Sequence, residues 1–393
     1  MISRYIERLD QLKETGNYRK LFQPKFDNFI NFCSNDYLGV LEDQEIRENF
    51  LKSDLFLNTK FGSGSSRLLD GNNNIIISLE DYLANEYCNF PDSSVLVFNS
   101  GYHLNTGVIP AITEKGDLII SDMKNHASII DGMRLSNAEF KRYRHNDMNH
   151  LESILKKFSM SYNKIFVITE SLFSMDGDFA DLHNIIELKK KYNFFLYVDE
   201  AHSFGVYGEN NLGYCESLDI LNQVDLLCGT FGKAIGSIGA FILTNKILKN
   251  YLINHCRSFI YSTALPPVNI AFTRFVLGQK ELLKYKVNNL RKNISLYNEL
   301  FNCSQESQIK PIIIGNSIKT VQLSEYLMEN NIYSLAVRPP TVSQGSSRLR
   351  ISLNSNHTDE QINKIKILID SFMDKKKPPV KRVVLTTPIR GCC

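Results

Sequence analysis

One lysine of the sequence stands in a stretch of small and apolar residues. Residues 228–241 read CGTFGKAIGSIGAF, and the nearest charges on either side of Lys233 are Asp225 and Lys246. Removing a lysine from water disfavours its charged form, so the amine becomes neutral and can attack a carbonyl carbon. Lys233 is therefore a candidate for a Schiff base with an aldehyde cofactor.

Other residues could hold such a cofactor. Pyridoxal phosphate needs an anion at its ring nitrogen, a platform for its ring and donors for its phosphate. Asp199 ends an apolar run, where a buried carboxylate needs a cationic partner such as a protonated ring nitrogen. His126 could stack on the ring. Backbone N–H groups of NSGYH (99–103), where we expect a helix to begin, could bind the phosphate together with the Thr230 hydroxyl.

These residues follow short apolar runs that read as buried strands. The runs are SVLVF (94–98), DLIIS (117–121), KIFVIT (164–169), FFLYV (194–198) and DLLCG (225–229), with helical patterns such as HLESILKKF and LHNIIELKKKY between them. This alternation predicts an α/β fold with a mostly parallel sheet between helices. Ligands bind beyond the carboxyl ends of such strands, so we expect the five polar tails to converge. Each residue alone could be an ordinary cap, turn or snorkelling lysine, but together they favour a cofactor site.

The pattern divides the chain into four parts. We expect an N-terminal segment (1–45), a large cofactor-binding domain (46–280), a small α+β domain (281–376) and a basic tail (377–393) without a predicted role. The small domain contains a helix pattern at 282–301, the apolar run IKPIIIG, the helix pattern TVQLSEYLMENN and the strand RLRISL. Its last helix begins at TDEQ (358–361), where Thr358 and Gln361 have capping-box spacing.

Composition narrows the function classes. The 45 Lys and Arg residues nearly balance 42 Asp and Glu, so no nucleic-acid partner is expected. No apolar run is long enough to span a membrane, and the charged N-terminus lacks the pattern of a signal peptide. The 8 cysteines form no C-x-x-C pair, which fits a cytoplasmic protein without a zinc site or disulfides.

Three other chemistries fit the sequence less well. VDEAH (198–202) resembles the acidic box of an ATPase, which would also need a P-loop. The Gly232–Lys233 pair is followed by Ala234 instead of Ser or Thr, and the residue five positions before Gly232 is Leu227 instead of glycine. GSIGAF and FGSGSSR do not form the G-x-G-x-x-G of a dinucleotide fold. A metal site of His126, Asp199 and His202 lacks a familiar ligand spacing, and we expect no metal.

Several longer motifs resemble the α-oxoamine synthase family of pyridoxal-phosphate enzymes over nearly the whole chain. They are SNDYLG (34–39), GSGSSRLLDG (62–71), ESLFSMDGD (170–178), VDEAHSFGVYGENNLG (198–213), GTFGKAIGSIGA (229–240), IYSTALPP (260–267) and RPPTVSQGSSRLRISL (338–353). The resemblance implies the aminotransferase-like fold type I and an acyltransferase. The motifs SNDYLG, IYSTALPP and RPPTV are most similar to members that condense L-alanine with a pimeloyl thioester in biotin synthesis. Sibling reactions with glycine or serine and another acyl-CoA, or synthesis of an α-aminoketone signal, stay open. An aminotransferase and a degenerate binding subunit fit the motifs less well.

The resemblance also implies roles for single residues. Lys233 would form the Schiff base, Asp199 would hold the ring nitrogen, His126 would stack and His202 would bond the phenolic oxygen. Further cofactor positions would be Gly101, Tyr102, Ser174, Thr230 and, from the neighbouring subunit of a homodimer with interfacial sites, Thr263. Asn35 and Arg350 would bind the substrate carboxylate, and Arg19 and Arg338 the acyl substrate. The acyl donor would be a CoA or an acyl-carrier-protein thioester.

The chain departs from the family pattern at two places. It has GSGSSR where relatives commonly have GSGGSR, and His103–Leu104 where small residues are usual. We expect both departures to affect loop packing near the cofactor.

Overall fold

The computed structural model describes residues 2–21 and 29–374, so the predicted basic tail at 377–393 lies outside the described residues. The helices are α1 (Ser3–Glu14), α2 (Gln44–Lys52), α3 (Asp54–Leu57), α4 (Asn74–Glu86), α5 (Gly101–Ile112), α6 (Ala127–Leu135), α7 (Met148–Phe158), α8 (Leu182–Tyr192), α9 (Tyr214–Ser217), α10 (Lys246–His255), α11 (Arg257–Ile260), α12 (Pro267–Gly278), α13 (Lys280–Phe301), α14 (Ser317–Glu329) and α15 (Asp359–Asp374). The strands are β1 (Ile30–Asn31), β2 (Ser93–Phe98), β3 (Leu118–Asp122), β4 (Glu139–Tyr143), β5 (Ile165–Glu170), β6 (Phe195–Asp199), β7 (Leu226–Thr230), β8 (Ala240–Asn245), β9 (Ile309–Gly315), β10 (Ile332–Tyr333), β11 (Leu335–Val337) and β12 (Ser347–Ser352).

A central sheet carries the strand ends. Its seven strands lie in the order β2-β8-β7-β6-β5-β3-β4, and only β8 runs against the rest. The prediction of a mostly parallel α/β sheet is therefore confirmed, and all five predicted strands are present within one residue of their expected ends. The strands β4 and β8 were not anticipated. The first is a largely polar edge strand, and the second begins inside the glycine-rich stretch that follows Lys233.

Both faces of the sheet are buried under helices. Along β2, Val95 and Val97 belong to one apolar cluster while Leu96 and Phe98 belong to another on the opposite face. The first cluster takes in side chains of α4, α7 and α8, and the second takes in α5, α6, α10 and α11. Two covered faces explain why the strands read as nearly continuous apolar runs rather than as alternating ones.

The carboxyl ends of neighbouring strands place polar residues side by side. In the sheet register Glu170 at the end of β5 lies opposite Asp199 at the end of β6, and Asp199 lies opposite Cys228 of β7. The chain then turns directly into the loop that carries Lys233. This is the convergence that the strand pattern predicts.

A smaller layer packs beside the central sheet. It contains a three-stranded antiparallel sheet of β11, β12 and β9, and the parallel pair of β1 with β10. The pair ties the N-terminal part of the chain to this layer. The capping box before α15 is confirmed, since the backbone N–H of Gln361 donates to the Thr358 hydroxyl and the backbone N–H of Thr358 to the Gln361 side chain. No helix in residues 2–21 and 29–374 has both the length and the apolar character for a membrane crossing.

Replacing Gly132 by alanine is expected to lower the free energy of unfolding by ~1–3 kcal/mol, the usual cost of overpacking. Helices α5 and α6 approach closely here: a Cβ on Gly132 would lie 2.5 Å from the Asn105 carbonyl oxygen and 3.0 Å from a methyl of Ile109. Urea unfolding measures the effect. Gly278→Ala serves as the control, because its nearest neighbour is the flexible end of Arg274 at 3.4 Å. Equal stability of the two variants would contradict the expected overpacking.

Candidate active site

Lys233 contacts a buried histidine. The loop between β7 and β8 is closed by backbone bonds from Phe231 to Gly239 and from Ser237 to Phe231, and it turns the Lys233 side chain toward β6. Nζ of Lys233 lies 2.7 Å from Nε2 of His202. Burial lowers the pKa of Lys233 to about 8, although the charges of Asp199 and Glu170 oppose the shift. The amine is thus poised between its charged and neutral forms near neutral pH.

His202 begins a chain of hydrogen bonds that leads to an arginine. Its Nδ1 lies 2.6 Å from the Tyr37 hydroxyl, which donates to Asn35 Oδ1 at 3.1 Å and accepts from Arg350 Nη2 at 3.3 Å. Burial lowers the pKa of His202 well below its usual range, and the charge of Lys233 adds to the shift. We assign the proton of the neutral ring to Nδ1, so that Nε2 accepts from Lys233.

The turn that carries Tyr37 is held by an aspartate. Both carboxylate oxygens of Asp36 accept backbone N–H groups, from Val40 at 2.9 Å and from Leu41 at 3.0 Å. Gly39 has a φ of 63°, a left-handed conformation that glycine adopts at little cost. The motif SNDYLG therefore forms a tight turn that inserts the fully buried Tyr37 between His202 and Arg350.

Asp199 is buried and accepts from neutral donors. Its Oδ2 accepts from Asn105 Nδ2 at 2.9 Å and its Oδ1 from the backbone N–H of Ala201 at 2.9 Å. Asn105 is itself oriented by the Tyr197 hydroxyl, which donates to its Oδ1 at 2.6 Å. Because a buried carboxylate calls for a cation, Asp199 suits a protonated ring nitrogen.

A second buried carboxyl group lies beside Asp199. Burial raises the pKa of Glu170 to about 8, and the charge of Asp199 adds to the shift, so the protonated form of Glu170 is favoured. It accepts the backbone N–H of His126 at 2.6 Å. His126 caps α6, where its Nδ1 bonds the Ser128 hydroxyl at 2.8 Å and its ring stays exposed. The exposed ring face can serve as a platform.

The predicted phosphate positions lie around the start of α5. Ser100 caps this helix by accepting from the backbone N–H of His103, which leaves the first turn at Gly101 and Tyr102 as the anion-binding end. A Cβ on Gly101 would meet no heavy atom within 4 Å, so the approach is open. The Tyr102 hydroxyl donates its proton to Asp131 at 2.7 Å, which leaves the backbone N–H groups of this turn for a phosphate.

The two predicted threonines are placed differently. Thr230 ends β7, but its hydroxyl donates to the Gly239 carbonyl at 2.9 Å, so binding a phosphate requires this bond to change. Thr263 is exposed, and its carbonyl accepts from Asn99, the residue before the Ser100 cap, at 2.7 Å.

The predicted carboxylate ligands meet at Tyr37. Arg350 is buried and donates to the Ser174 carbonyl at 2.6 Å, the Ser352 hydroxyl at 2.6 Å and the Tyr37 hydroxyl. All three acceptors are neutral, so the guanidinium keeps its positive charge for an anion. Ser174 thus contributes its carbonyl to this cluster rather than its hydroxyl.

Arg19 and Arg338 form a separate cluster. Arg19 donates to the Thr341 hydroxyl at 2.8 Å, and Arg338 donates to the Gly16 carbonyl at 2.6 Å. Burial lowers the pKa of Arg338, and the nearby charge of Arg19 adds to the shift. The structure brings the two arginines close to each other but gives no contact of either with Lys233 in the described part of the chain.

The two departures from the family pattern have different local surroundings. Leu104 is fully buried in the core below α5, whereas His103 is exposed and its Nδ1 lies 2.9 Å from the Ser100 hydroxyl. In the other departure the carbonyls of Ser65 and Ser66 lie against Gly71, where a Cβ would be 2.4 Å and 2.9 Å from them. Leu104 therefore adds to the core, and Ser65 and Ser66 approach Gly71 through their backbone carbonyls.

Sequence reasoning did not assign Tyr37, Asn105 or Glu170. Tyr37 and Glu170 lie inside the quoted motifs SNDYLG and ESLFSMDGD, so the signal was present without a role. Asn105 is an amide in the apolar part of α5, and a buried polar residue in such a place is itself a signal.

The donor set fits pyridoxal phosphate better than a metal ion. A buried amine with a lowered pKa, a buried carboxylate with neutral donors, an exposed imidazole face and an open helix N-terminus surround one position. Among the described residues, no group of three or more His, Cys, Asp or Glu side chains could hold a metal ion.

Comparisons with known proteins agree with this fit. Residues 27–366 match the family model described as aminotransferase class I and II. A curated 8-amino-7-oxononanoate synthase of Haemophilus ducreyi is 40% identical over 386 residues, covering 92% of this chain and 98% of that protein. The structure of 8-amino-7-oxononanoate synthase from Francisella tularensis has a TM-score of 0.74 at 30% identity, over 89% of this chain and 99% of that one.

A second solved structure shares the fold more closely. Serine palmitoyltransferase of Sphingomonas wittichii has a TM-score of 0.84 at 28% identity, over 95% of this chain and 97% of that one. The fold is therefore the aminotransferase-like fold type I. With the family model matched over most of the chain and the curated relative matched over nearly its whole length, the chain belongs to the α-oxoamine synthases, acyltransferases that depend on pyridoxal phosphate.

Proposed function

We propose that the enzyme condenses L-alanine with a pimeloyl thioester in biotin synthesis, giving 8-amino-7-oxononanoate, CO₂ and the free thiol. The observation that carries this choice is the 40% identity to a curated 8-amino-7-oxononanoate synthase over 98% of its length. The serine palmitoyltransferase of similar fold is 28% identical. It supports the same reaction class and makes serine the rival amino acid.

The residues divide the work of this reaction. Pyridoxal phosphate supplies an aldehyde for covalent attachment and a ring that takes up the electron pair of the amino-acid Cα carbon. Asp199 holds the ring nitrogen, His126 supports the ring face, and the start of α5 binds the phosphate. Arg350 binds the substrate carboxylate next to Asn35, with its planar fork suited to two parallel hydrogen bonds.

Lys233 and His202 handle the proton. With a pKa of about 8, Lys233 has a substantial neutral fraction near neutral pH and can take the Cα proton when its amine is free. His202 accepts from the amine at 2.7 Å and so orients Nζ. Because the imidazole stays neutral, it does not repel the charged lysine once the proton has been taken.

An amino-acid and acyl-donor matrix tests the proposal. L-alanine, glycine and L-serine are combined with pimeloyl-CoA, pimeloyl acyl carrier protein, acetyl-CoA, succinyl-CoA and palmitoyl-CoA, and thiol release and product mass are measured. We expect L-alanine to exceed glycine by about 10- to 200-fold in kcat/KM, the range that one methyl group provides. A preference for L-serine with palmitoyl-CoA would overturn the assignment. The two pimeloyl donors separate a CoA enzyme from one that uses the carrier protein.

Arg19 and Arg338 are proposed acyl-substrate contacts. The cluster joins the N-terminal segment to the loop after β11, and both guanidinium groups donate to neutral oxygens. Two cations with neutral partners suit an anionic group of the acyl donor. We also propose the boundary between the large and small domains at residue 280, where α13 begins.

We further propose a homodimer with interfacial sites. Segments 60–71 and 261–268 run together, joined by the bridge between Ser66 and Thr263 and by the bond from the Ala264 backbone to Ser65. Large apolar side chains on this ridge are exposed: Phe61 at 73%, Leu69 at 82% and Tyr261 at 71%. The ridge adjoins Asn99 and the start of α5, so a partner covering it would lie beside the phosphate position.

Replacing Leu69 by glutamate is expected to raise the dimer dissociation constant at least about 100-fold, because the contact would bury an unpaired charge. Light scattering after size exclusion measures the mass, which we expect to fall from twice 45.0 kDa toward 45.0 kDa. Met160→Glu is the control, since Met160 is 96% exposed in a different region. A dimer that persists in Leu69→Glu to the same extent as in Met160→Glu would refute this interface.

A further inference from the structure

A histidine outside the site described above is held between two carboxylates. His145 follows β4, and its Nδ1 lies 3.0 Å from Asp122 Oδ1 while its Nε2 lies 2.6 Å from Asp178 Oδ2. The ring is largely buried and packs edge-on against Phe173, with ring centroids 4.4 Å apart. Asp122 ends β3, whereas Phe173 and Asp178 belong to the loop after β5. His145 therefore fastens this loop to the central sheet.

The loop in question, residues 171–180, extends from the sheet to the small layer. Its base is a tight turn in which the backbone N–H of Phe173 donates to the Asp178 carbonyl at 2.9 Å. Its tip lies against β12: Asp176 pairs with Arg348 at 2.7 Å, and the Ser174 carbonyl accepts from Arg350 at 2.6 Å. The loop thus connects His145 at one end to Arg350 at the other.

We propose that His145 is a positioning residue for the amino-acid substrate: clamped between Asp122 and Asp178, it fixes the 171–180 loop so that the Ser174 carbonyl holds Arg350 in the orientation that binds the substrate carboxylate. The proposal rests on the proposed function in one respect, the role of Arg350 as carboxylate ligand. In this proposal His145 acts through Arg350 rather than by contact with substrate or cofactor.

The charge of His145 strengthens the clamp. Burial opposes the charge, but the hydrogen bonds to Asp122 and Asp178 raise the pKa of His145 to about 9. The other titratable groups at this position are Tyr143, whose pKa is raised by burial and by Asp122, and Lys124, whose backbone N–H donates to Asp122 at 2.8 Å. An imidazole free in water has a pKa of about 6.5. The charged clamp therefore contributes fully below about that pH, and its contribution is lost as pH rises through about 9.

The test compares the cofactor-loaded enzyme with its His145→Gln and Asp178→Asn variants. Dissociation constants for L-alanine come from the change in the visible spectrum, KM for the acyl thioester and kcat from thiol release, and the mobility of the 171–180 loop from amide hydrogen exchange. The second variant guards against misfolding of the first, because Asp178 is partly exposed. His183→Gln, on the exposed surface of α8, is the matched control.

We expect the dissociation constant for L-alanine to rise about tenfold in both variants, a change of ~1.4 kcal/mol. Exchange in the loop should accelerate, while cofactor content and KM for the acyl thioester stay within about twofold of wild type. The ratio of variant to wild-type alanine affinity should approach one above pH ~9, where wild type loses the same charge. The titrations of Lys233 and of the substrate amine affect wild type and variants equally, so they cancel in the ratio of alanine affinities.

Two results would overturn the proposal. One is unchanged alanine affinity with unchanged loop exchange in both variants. The other is an equal loss of alanine affinity, acyl-donor affinity and cofactor content, which marks a merely structural role. Failure of the proposed function looks different: wild type would then prefer another amino acid in the substrate matrix, and the same His145 comparison would be made with that amino acid.

Discussion

Replacement of Lys233 by alanine is expected to lower kcat/KM about 10⁴-fold or more and to remove the visible absorbance of the covalently held cofactor. The variant should still fold and still bind pyridoxal phosphate noncovalently, because Asp199, His126 and the start of α5 are unchanged. Among the described residues, Nζ of Lys233 contacts the neutral ring of His202, which does not form a Schiff base and so does not replace the amine.

Two losses combine in this variant. In the proposed mechanism the chain loses its point of covalent attachment, and it loses a base whose pKa of about 8 lies close to the working pH. A general base alone typically contributes about 10²–10⁴-fold, so a total near the upper end of this range, about 5 kcal/mol of barrier, is expected.

Spectra and single-turnover rates of the purified variant measure the effect. Lys246→Ala is the matched control, since Lys246 is an exposed lysine shortly after the same loop. A small primary amine added to Lys233→Ala should restore part of the rate by serving as the missing base. Turnover by Lys233→Ala at the rate of the control would contradict both roles of the lysine.

The fold was largely accessible from the sequence because it depends on local patterns. Buried parallel strands are short apolar runs, and amphipathic helices such as α7 and α8 carry their spacing in the sequence. The edge strand β4 was not predicted, because its charged residues do not form the apolar run that indicates a buried strand. The antiparallel strand β8 was not predicted either. Its direction depends on its neighbours in the sheet, which no local sequence pattern specifies.

The sequence predicted the positions of the site residues but not the contacts between their side chains. Residues at strand ends, such as Asp199, could be placed near each other by topology alone, since carboxyl ends of parallel strands share an edge. Contacts made by side chains across the fold could not. The sequence does not reveal that Tyr37 lies between His202 and Arg350, or that the Thr230 hydroxyl is engaged by Gly239, because both depend on packing between distant segments.

The sequence likewise did not predict that the neighbouring carboxyl groups of Glu170 and Asp199 have different surroundings. Glu170 and Asp199 both follow apolar strands, yet the structure distinguishes their surroundings. Burial and the neighbouring charge raise the pKa of Glu170 to about 8, whereas Asp199 is held by two N–H donors. The negative charge of Asp199 therefore disfavours ionisation of Glu170.

This asymmetry predicts losses of different size for two isosteric changes. Asp199→Asn is expected to lower kcat about 10²–10³-fold, because a neutral amide cannot keep the ring nitrogen protonated and removes the electrostatic stabilisation of the reacting carbon. Glu170→Gln should cost less than about tenfold at pH 7, because glutamine resembles the protonated acid and can still accept the backbone N–H of His126.

Rates and visible spectra of both variants at pH 7 decide the matter, with Asn105→Ala as a third member of the set. Asn105 positions Asp199 by donating to Oδ2 at 2.9 Å, so its loss should misalign the carboxylate without removing its charge and reduce kcat only about tenfold. The expected order of damage is therefore Asp199→Asn, then Asn105→Ala, then Glu170→Gln. If Glu170→Gln were as damaging as Asp199→Asn, the charge would have to reside on Glu170, and Asp199 would not be the partner of the ring nitrogen.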